Sequence, residues 1–441
     1  MVLAPSLTAL LVTLAGGCGQ RAGVSREYRE SPPASVPQPP PPVKGPTGGL
    51  ALGLTEDNPN LLVPAGQPVN GAFAAAEGLL NDLAPEYLRI DIDWATLEPT
   101  SASVPLLQGP VSGCARQFGP CASYAGLDTL LRTIAARQRA SAAAGSSPAG
   151  GGPQVVVVFY NAPAWATLPP SGCEAAETGA GARLINPAGL RAYRQLIDDV
   201  LVLERRDGAR LRWWSAWDEP NQPVFLAPQR ARCERSSPTL APAVYATLAR
   251  NMLDVLAGAS GGPHQLVLGD LAGIPEPSPH ATSIGEFVDG MPADLLCSSA
   301  VWAIHVYPTL ARTGVFLPGS NENVVEQLER SLRARGGCAA RARIWVTETG
   351  VGNPHSGGQR ALSPTVLKAQ CRLLAQALLG WYQNPKVDVV LQYTFREDPL
   401  FQVGLLSADL SRIYPTYYLL KAWEGGRPPS APAPLTAPQC Q

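Results

Sequence analysis

Charge is scarce in this chain. Asp, Glu, Lys and Arg make up 16% of 441 residues, and Lys+Arg 34 against Asp+Glu 35 leaves a net charge of −1. No basic patch or block of like charge stands out, which argues against nucleic acid as a partner. Phosphate-cradling loops are missing too. Neither GxGxxG nor GxxxxGK follows the first apolar run, which disfavours an open, doubly wound nucleotide-binding sheet. No CxxC or His/Cys spacing marks a zinc site, so no metal and no cofactor are expected. Internal repeats are also lacking.

What is present is apolar mass: hydrophobic residues reach 45%, enough for a sizeable core, and the length suits one large α/β barrel. Residues 1–17 form an apolar run ending in small residues, the pattern of an export signal. The segment Leu14-Ala15-Gly16-Gly17-Cys18 resembles a bacterial lipobox, which would make Cys18 a lipidated N-terminus tethering the protein to a membrane. Ala15 stands where leucine is usual and no Lys or Arg precedes the run, so plain secretion is the alternative. Residues 18–47, with Pro39-Pro40-Pro41-Pro42, read as an extended tether, and 428–441 as a Pro/Ala-rich tail. The folded unit is then 48–427.

Eight apolar runs follow one another, each trailed by a helical pattern: Leu52–Thr55, Tyr87–Trp94, Val155–Asn161, Leu211–Trp217, Leu266–Asp270, Val301–Tyr307, Ile344–Glu348 and Val387–Phe395. Runs such as Val155-Val156-Val157-Val158 have the β-branched texture of strands covered on both faces. Asn186-Pro187 and Ser363-Pro364 are helix starts with proline at the first position. Strand–helix alternation repeated eight times implies a closed parallel (β/α)8 barrel, a TIM barrel. On that frame Cys173 and Cys233 sit in loops on one face, and Cys297 and Cys338 just before strands on the other. With Cys18 set aside, eight cysteines in an exported chain point to disulfides, Cys114 and Cys121 pairing locally.

In such barrels the chemistry sits at the carboxyl ends of the strands. Polar residues gather there: Arg89, Asp91 and Asp93 on the second, Asn161 on the third, Asp218 and Glu219 on the fourth. His305 and Tyr307 lie on the sixth, Glu348 on the seventh, Arg396 and Glu397 past the eighth. Trp217-Asp218-Glu219-Pro220-Asn221 and Ile344-Trp345-Val346-Thr347-Glu348 each place one glutamate at a strand end. Paired carboxylates of this kind cleave glycosidic bonds, one protonating the leaving oxygen and the other attacking the anomeric carbon.

These two segments resemble retaining glycoside hydrolases of clan A, among them cellulase-like and β-xylosidase-like families. The resemblance implies Glu219 as general acid/base and Glu348 as nucleophile. It implies Arg89 and Tyr307 as groups holding Glu348, with His305 beside them. It also implies a carbohydrate substrate carrying a β-linkage. Arg89 has a second reading, pairing with Asp91 or Asp93; these two have a sugar-binding or an ion-pairing role; His305 is equally a satisfied core residue. Where the clan has Asn before the acid/base, bound to the sugar 2-hydroxyl, this chain has Asp218. The strand-8 tryptophan of the clan is replaced by the neighbourhood of Tyr393 and Phe395. Trp94 and Trp165 are candidate sugar platforms, with Tyr160, Trp217 and Phe401 nearby in the pattern; helix packing is the other reading. The competing function is an inactive glycan-binding lipoprotein on the same scaffold, and a structural envelope protein is a third. The loops 100–124, 167–186 and 222–239 are expected to wall the catalytic face as a cleft or pocket.

Overall fold

A computed structural model describes residues 49–56, 71–108, 126–143, 152–173, 178–260, 262–308, 323–353, 359–423 and 438–440. All of them fall in one unit, Gln38–Gln441. The strands are β1 (Ala51–Thr55), β2 (Tyr87–Asp93), β3 (Gln154–Tyr160), β4 (Trp213–Ser215), β5 (Gln265–Leu271), β6 (Val301–Val306), β7 (Arg343–Thr349) and β8 (Val387–Tyr393). They pair in parallel in sequence order, and β8 closes on β1 with Ala51 opposite Val389. The eight-stranded (β/α)8 barrel expected from the alternation of runs is therefore present.

Each strand is covered inside and out. The inner face carries a small apolar plug that includes Tyr87, Val156, Trp213, Val267, Trp345 and Val389, one from each of six strands. Trp345 packs edge-on against Trp213 at 4.6 Å and against Tyr87 at 5.3 Å between ring centres. The outer faces join a second, larger core with the helices. The helices begin where the sequence marks them. In α4 (Pro187–Asp207) the Asn186 side chain accepts from Gly189 N and Gly208 ends the helix in the left-handed region at φ 76°. In α9 (Pro364–Gln383) Ser363 caps Val366 N.

The fourth strand is shorter than its apolar run. Regular pairing stops at Ser215, yet Asp218 N still donates to Phe159 O and Glu219 N to Asp270 O, both at 3.0 Å. The chain leaves the ladder while staying pinned between its neighbours. Cys173 bonds Cys233 and Cys297 bonds Cys338, as the placement of those pairs on opposite faces implied. Cys371 of α9 bonds Cys440, which is buried although it lies in the segment read as a tail. Cys18 and the Cys114–Cys121 pair lie outside the described residues, as does most of loop 100–124. No helix among the described residues is long and apolar enough to cross a membrane.

The plug is tested by Trp345→Ala. Emptying a fully buried indole from between Trp213 and Tyr87 is expected to lower unfolding free energy by about 3–5 kcal/mol in a denaturant titration. A loss under about 1 kcal/mol would show that the plug is not close-packed.

Candidate active site

Above the plug the inner face turns from apolar to charged. Arg89 of β2 points inward one layer above Tyr87 and is fully buried. A guanidinium so placed must be met by acceptors, since desolvating an ion without partners costs several kcal/mol. Four carboxylates meet it. Nη1 donates to Glu348 Oε1 at 2.6 Å and to Asp91 Oδ1 at 2.8 Å. Nη2 donates to Asp218 Oδ1 at 2.5 Å and to Asp270 Oδ2 at 3.0 Å, and Nε to Asp270 Oδ2 at 3.3 Å.

Two irregularities aim these acids inward. The β5–β6 register shifts between Gly269 and Leu271, and both Gly269 (φ 86°) and Asp270 (φ 56°) take left-handed backbone. A bulge redirects a side chain in this way, and glycine lowers the cost of entering it. On β7 the register shifts so that His305 stands opposite Glu348 rather than Thr347. Thr347 then donates through Oγ1 to Asp270 Oδ1 at 2.5 Å.

Glu219 is fixed by its own segment. Its backbone is left-handed at φ 36°, unusual for a non-glycine residue. Asn221, wholly buried, explains how the turn is held. Its Nδ2 donates to Ala272 O at 3.0 Å and Thr282 O at 3.2 Å, while its Oδ1 accepts from Ala272 N at 2.8 Å. The Pro-Asn that follows the glutamate thus knots the turn onto the chain leaving β5.

His305 joins the two halves. Its Nδ1 lies 2.8 Å from Glu219 Oε1 and 3.4 Å from Glu348 Oε2, and its Nε2 lies 3.2 Å from Asp270 Oδ1. With carboxylate oxygens facing both ring nitrogens, the imidazolium form, which donates from both, suits the site. Burial works against that charge, but Glu348, Asp270 and Glu219 outweigh it and hold His305 well above the ordinary histidine range. Tyr307 donates to Glu348 Oε2 at 2.5 Å, and Gln222 donates to Glu219 Oε2.

The carboxylates are not equivalent. Asp270 is buried, yet Arg89, His305 and Thr347 hold it well below the usual carboxylate range. Burial pushes Asp218 well up, with Arg89 opposing and Glu348 adding to the rise. Burial also raises Glu348, while His305, Arg89 and Tyr307 favour its ionised form. Asp218, Asp270 and His305 are close enough to share a metal ion. Arg89 already donates to both aspartates and would oppose a second cation there.

Of the residues singled out in the sequence, Arg89, Asp91, Asp218, Glu219, His305, Tyr307 and Glu348 converge here. Asp93, Arg396 and Glu397 pair elsewhere, and Trp94, Asn161 and Trp165 also stay outside the network. Trp94 is 0% exposed, donates to Glu98 Oε2 at 2.8 Å and packs on Tyr193, so it belongs to the barrel–helix layer and is corrected from a sugar platform to core. Asn161 donates to Asp93 Oδ1 at 2.8 Å and ties two loops together. Trp165 is half-buried, with its indole N–H on Glu98 O at 2.9 Å and its ring against Trp94 at 6.2 Å. Cys18 lies outside the described residues. Of Tyr393 and Phe395, only Tyr393 turns toward Tyr307, at 6.4 Å between ring centres, and Phe401 joins it at 4.8 Å, whereas Phe395 is buried against Tyr417. Asp270, Thr347 and Gln222 were missed. Asp270 closes an apolar run as the other site residues do, and that position was the available signal.

No protein-family model matches the chain, and no curated protein is similar to it in sequence. Among solved structures, the chain is similar to a family 39 glycoside hydrolase from the gut symbiont Bacteroides cellulosilyticus WH2, with TM-score 0.51 and 17% identity over 85% of this chain. It spans 63% of that protein's length. It is also similar to SrfJ from Salmonella typhimurium, with TM-score 0.50 and 11% identity over 86% of this chain and 75% of that one. At these identities the likeness is one of fold: a parallel eight-stranded barrel of the kind that glycoside hydrolases use.

Arg89→Met tests the network. Leaving the carboxylates without their shared guanidinium is expected to destabilise the fold by about 3–5 kcal/mol near neutral pH. Asp218 and Glu348, which Arg89 pulls down in the wild type, then rise further. A carboxyl whose folded-state pKa exceeds its unfolded value stabilises the fold at low pH and loses that contribution as pH climbs through the folded-state pKa. The deficit of the variant is therefore expected to narrow as pH falls from about 7 to about 5. A deficit that does not change with pH would contradict the shared-charge reading.

Proposed function

We propose that this protein is a retaining glycoside hydrolase that cleaves a β-linked glycan by double displacement. The observation that carries the reading is the placement of Glu219 and Glu348 against one atom, His305 Nδ1, at 2.8 and 3.4 Å. Two carboxylates gathered on one nitrogen fit the close pair of a retaining enzyme, about 5–5.5 Å apart, better than the wider pair that an inverting enzyme parts for a water.

In this reading Glu348 attacks the anomeric carbon. Arg89 and Tyr307 each donate to one of its oxygens, which orients it and favours the anion. Glu219 gives its proton to the departing oxygen and later takes one from water as the glycosyl–Glu348 ester is hydrolysed. His305 supplies that proton: passing it from Nδ1 to Glu219 Oε1 leaves a neutral imidazole still donating from Nε2 to Asp270. Asp270 and Thr347 position the ring and do not meet substrate. No cofactor enters. The chain is proposed to be exported, with three disulfides among the described residues fitting an oxidising compartment, and to be lipid-anchored through Cys18.

The test is hydrolysis of a panel of aryl β-glycosides and polysaccharides, with product configuration read by NMR. Retained configuration is expected, with turnover abolished in Glu348→Gln and lowered about 10²–10⁴-fold in Glu219→Gln. His305→Gln is expected to move the alkaline limb of kcat/KM to lower pH, because Glu219 must then hold the proton unaided. A wild type that binds a glycan without cleaving it, with Glu348→Gln binding equally well, would replace the hydrolase with a glycan-binding protein.

A further inference from the structure

Among the described residues, the bottom of the site holds more carboxylates than cations. Asp218, Asp270, Glu219 and Glu348 converge, and among the described residues only Arg89 and His305 pair with them. Arg89 is shared with Asp91 as well. Further along the β2 edge the acids are met by neutral donors. Asp93 accepts from Thr96 N and Asn161 Nδ2, and Glu98 from Trp94 Nε1.

Asp218 is the member whose place decides what it meets. One guanidinium holds Glu348 on Nη1 and Asp218 on Nη2, so the two carboxylates lie side by side. Asp218 keeps 11% side-chain exposure, whereas Asp270 has none. A sugar whose anomeric carbon stands between Glu219 and Glu348 therefore brings its adjoining ring atoms over Asp218. Those atoms are the ring oxygen, which has no proton to give, and the substituent on C2.

We propose that the sugar cleaved here carries a cationic amino group at C2, making the substrate a 2-amino-2-deoxy-β-glycoside whose ammonium is received by Asp218. This rests on the hydrolase reading above and names the substrate class of that site. An ammonium would add a cation there, donate to Asp218 and lie over the carboxylate cluster, a charge-assisted contact in a water-poor floor. A 2-acetamido group would place a neutral amide and a methyl on this floor, and a 2-hydroxyl would leave the charge uncorrected.

The experiment compares aryl 2-amino-2-deoxy-β-glycosides with their 2-hydroxy and 2-acetamido counterparts in the gluco, galacto and manno series, using the full chain and Asp218→Asn. The wild type is expected to favour the amino sugar by about 10- to 100-fold in kcat/KM, the range of a hydrogen bond to a charged group. Asp218→Asn is expected to erase that preference. The wild-type ratio needs no variant and stands even if Asp218→Asn folds poorly. A wild type faster on 2-hydroxy or 2-acetamido sugars would overturn this inference and leave the hydrolase intact. A preference unchanged in folded Asp218→Asn would also overturn it. Hydrolysis of none of the sugars would remove the hydrolase reading, and this inference with it.

Discussion

One guanidinium organises the catalytic face. Arg89 lies at the floor of the barrel mouth with no exposure, and Asp91, Asp218, Asp270 and Glu348 all accept from it. Those acids arrive from β2, from the turn after β4, and from β5 and β7. A buried ion is tolerated only when its partners are held in good geometry. Seen this way, the bulges on β5 and β7 and the left-handed backbone at Asp270 are what that geometry demands of the strands. Burial raises the stakes in both directions, since a low dielectric strengthens each pairing and penalises each omission.

The plug beneath gives the charges their setting. Trp213, Trp345 and Tyr87 fill the barrel interior below Arg89. The network then grades its members. Asp270, without side-chain exposure and met by Arg89, His305 and Thr347, is fixed as an anion that positions others. Glu219 and Glu348 keep part of their side chains exposed, as their proposed roles in proton exchange and bond formation require.

Much of this was legible in the chain. The order of apolar runs carried the barrel, because parallel strands covered on both faces leave a near-continuous β-branched signature. The Asn-Pro and Ser-Pro starts carried α4 and α9, because capping chemistry is local. Glu219 and Glu348 stood out as a pair, because two strand-end glutamates in these contexts and this order resemble a known pattern where one alone would be an ordinary loop residue. Other features depend on geometry that spacing does not encode. A period of two places alternate residues on one face, but a bulge breaks that period, so Thr347 entered the site unannounced and Asp270 was marked only by closing its run. Trp94 and Trp165 sit at or just past strand ends, where the same spacing lets an aromatic ring turn to the mouth or to the helix layer; Glu98, four residues after Trp94, draws that indole into the core. The early end of β4 is equally invisible, since Ala216 and Trp217 are as apolar and buried as the strand itself.

The most direct measurement of the central claim is to trap the covalent intermediate. A β-glycoside with fluorine in place of the C2 substituent and a good leaving group slows hydrolysis of the glycosyl–enzyme more than its formation, and peptide mass spectrometry then locates the sugar. One sugar per chain, esterified to Glu348 and released when an acceptor is added, is the expected result. Turnover of the corresponding unmodified glycoside with no adduct, or with an adduct on any other residue, would contradict the double-displacement assignment.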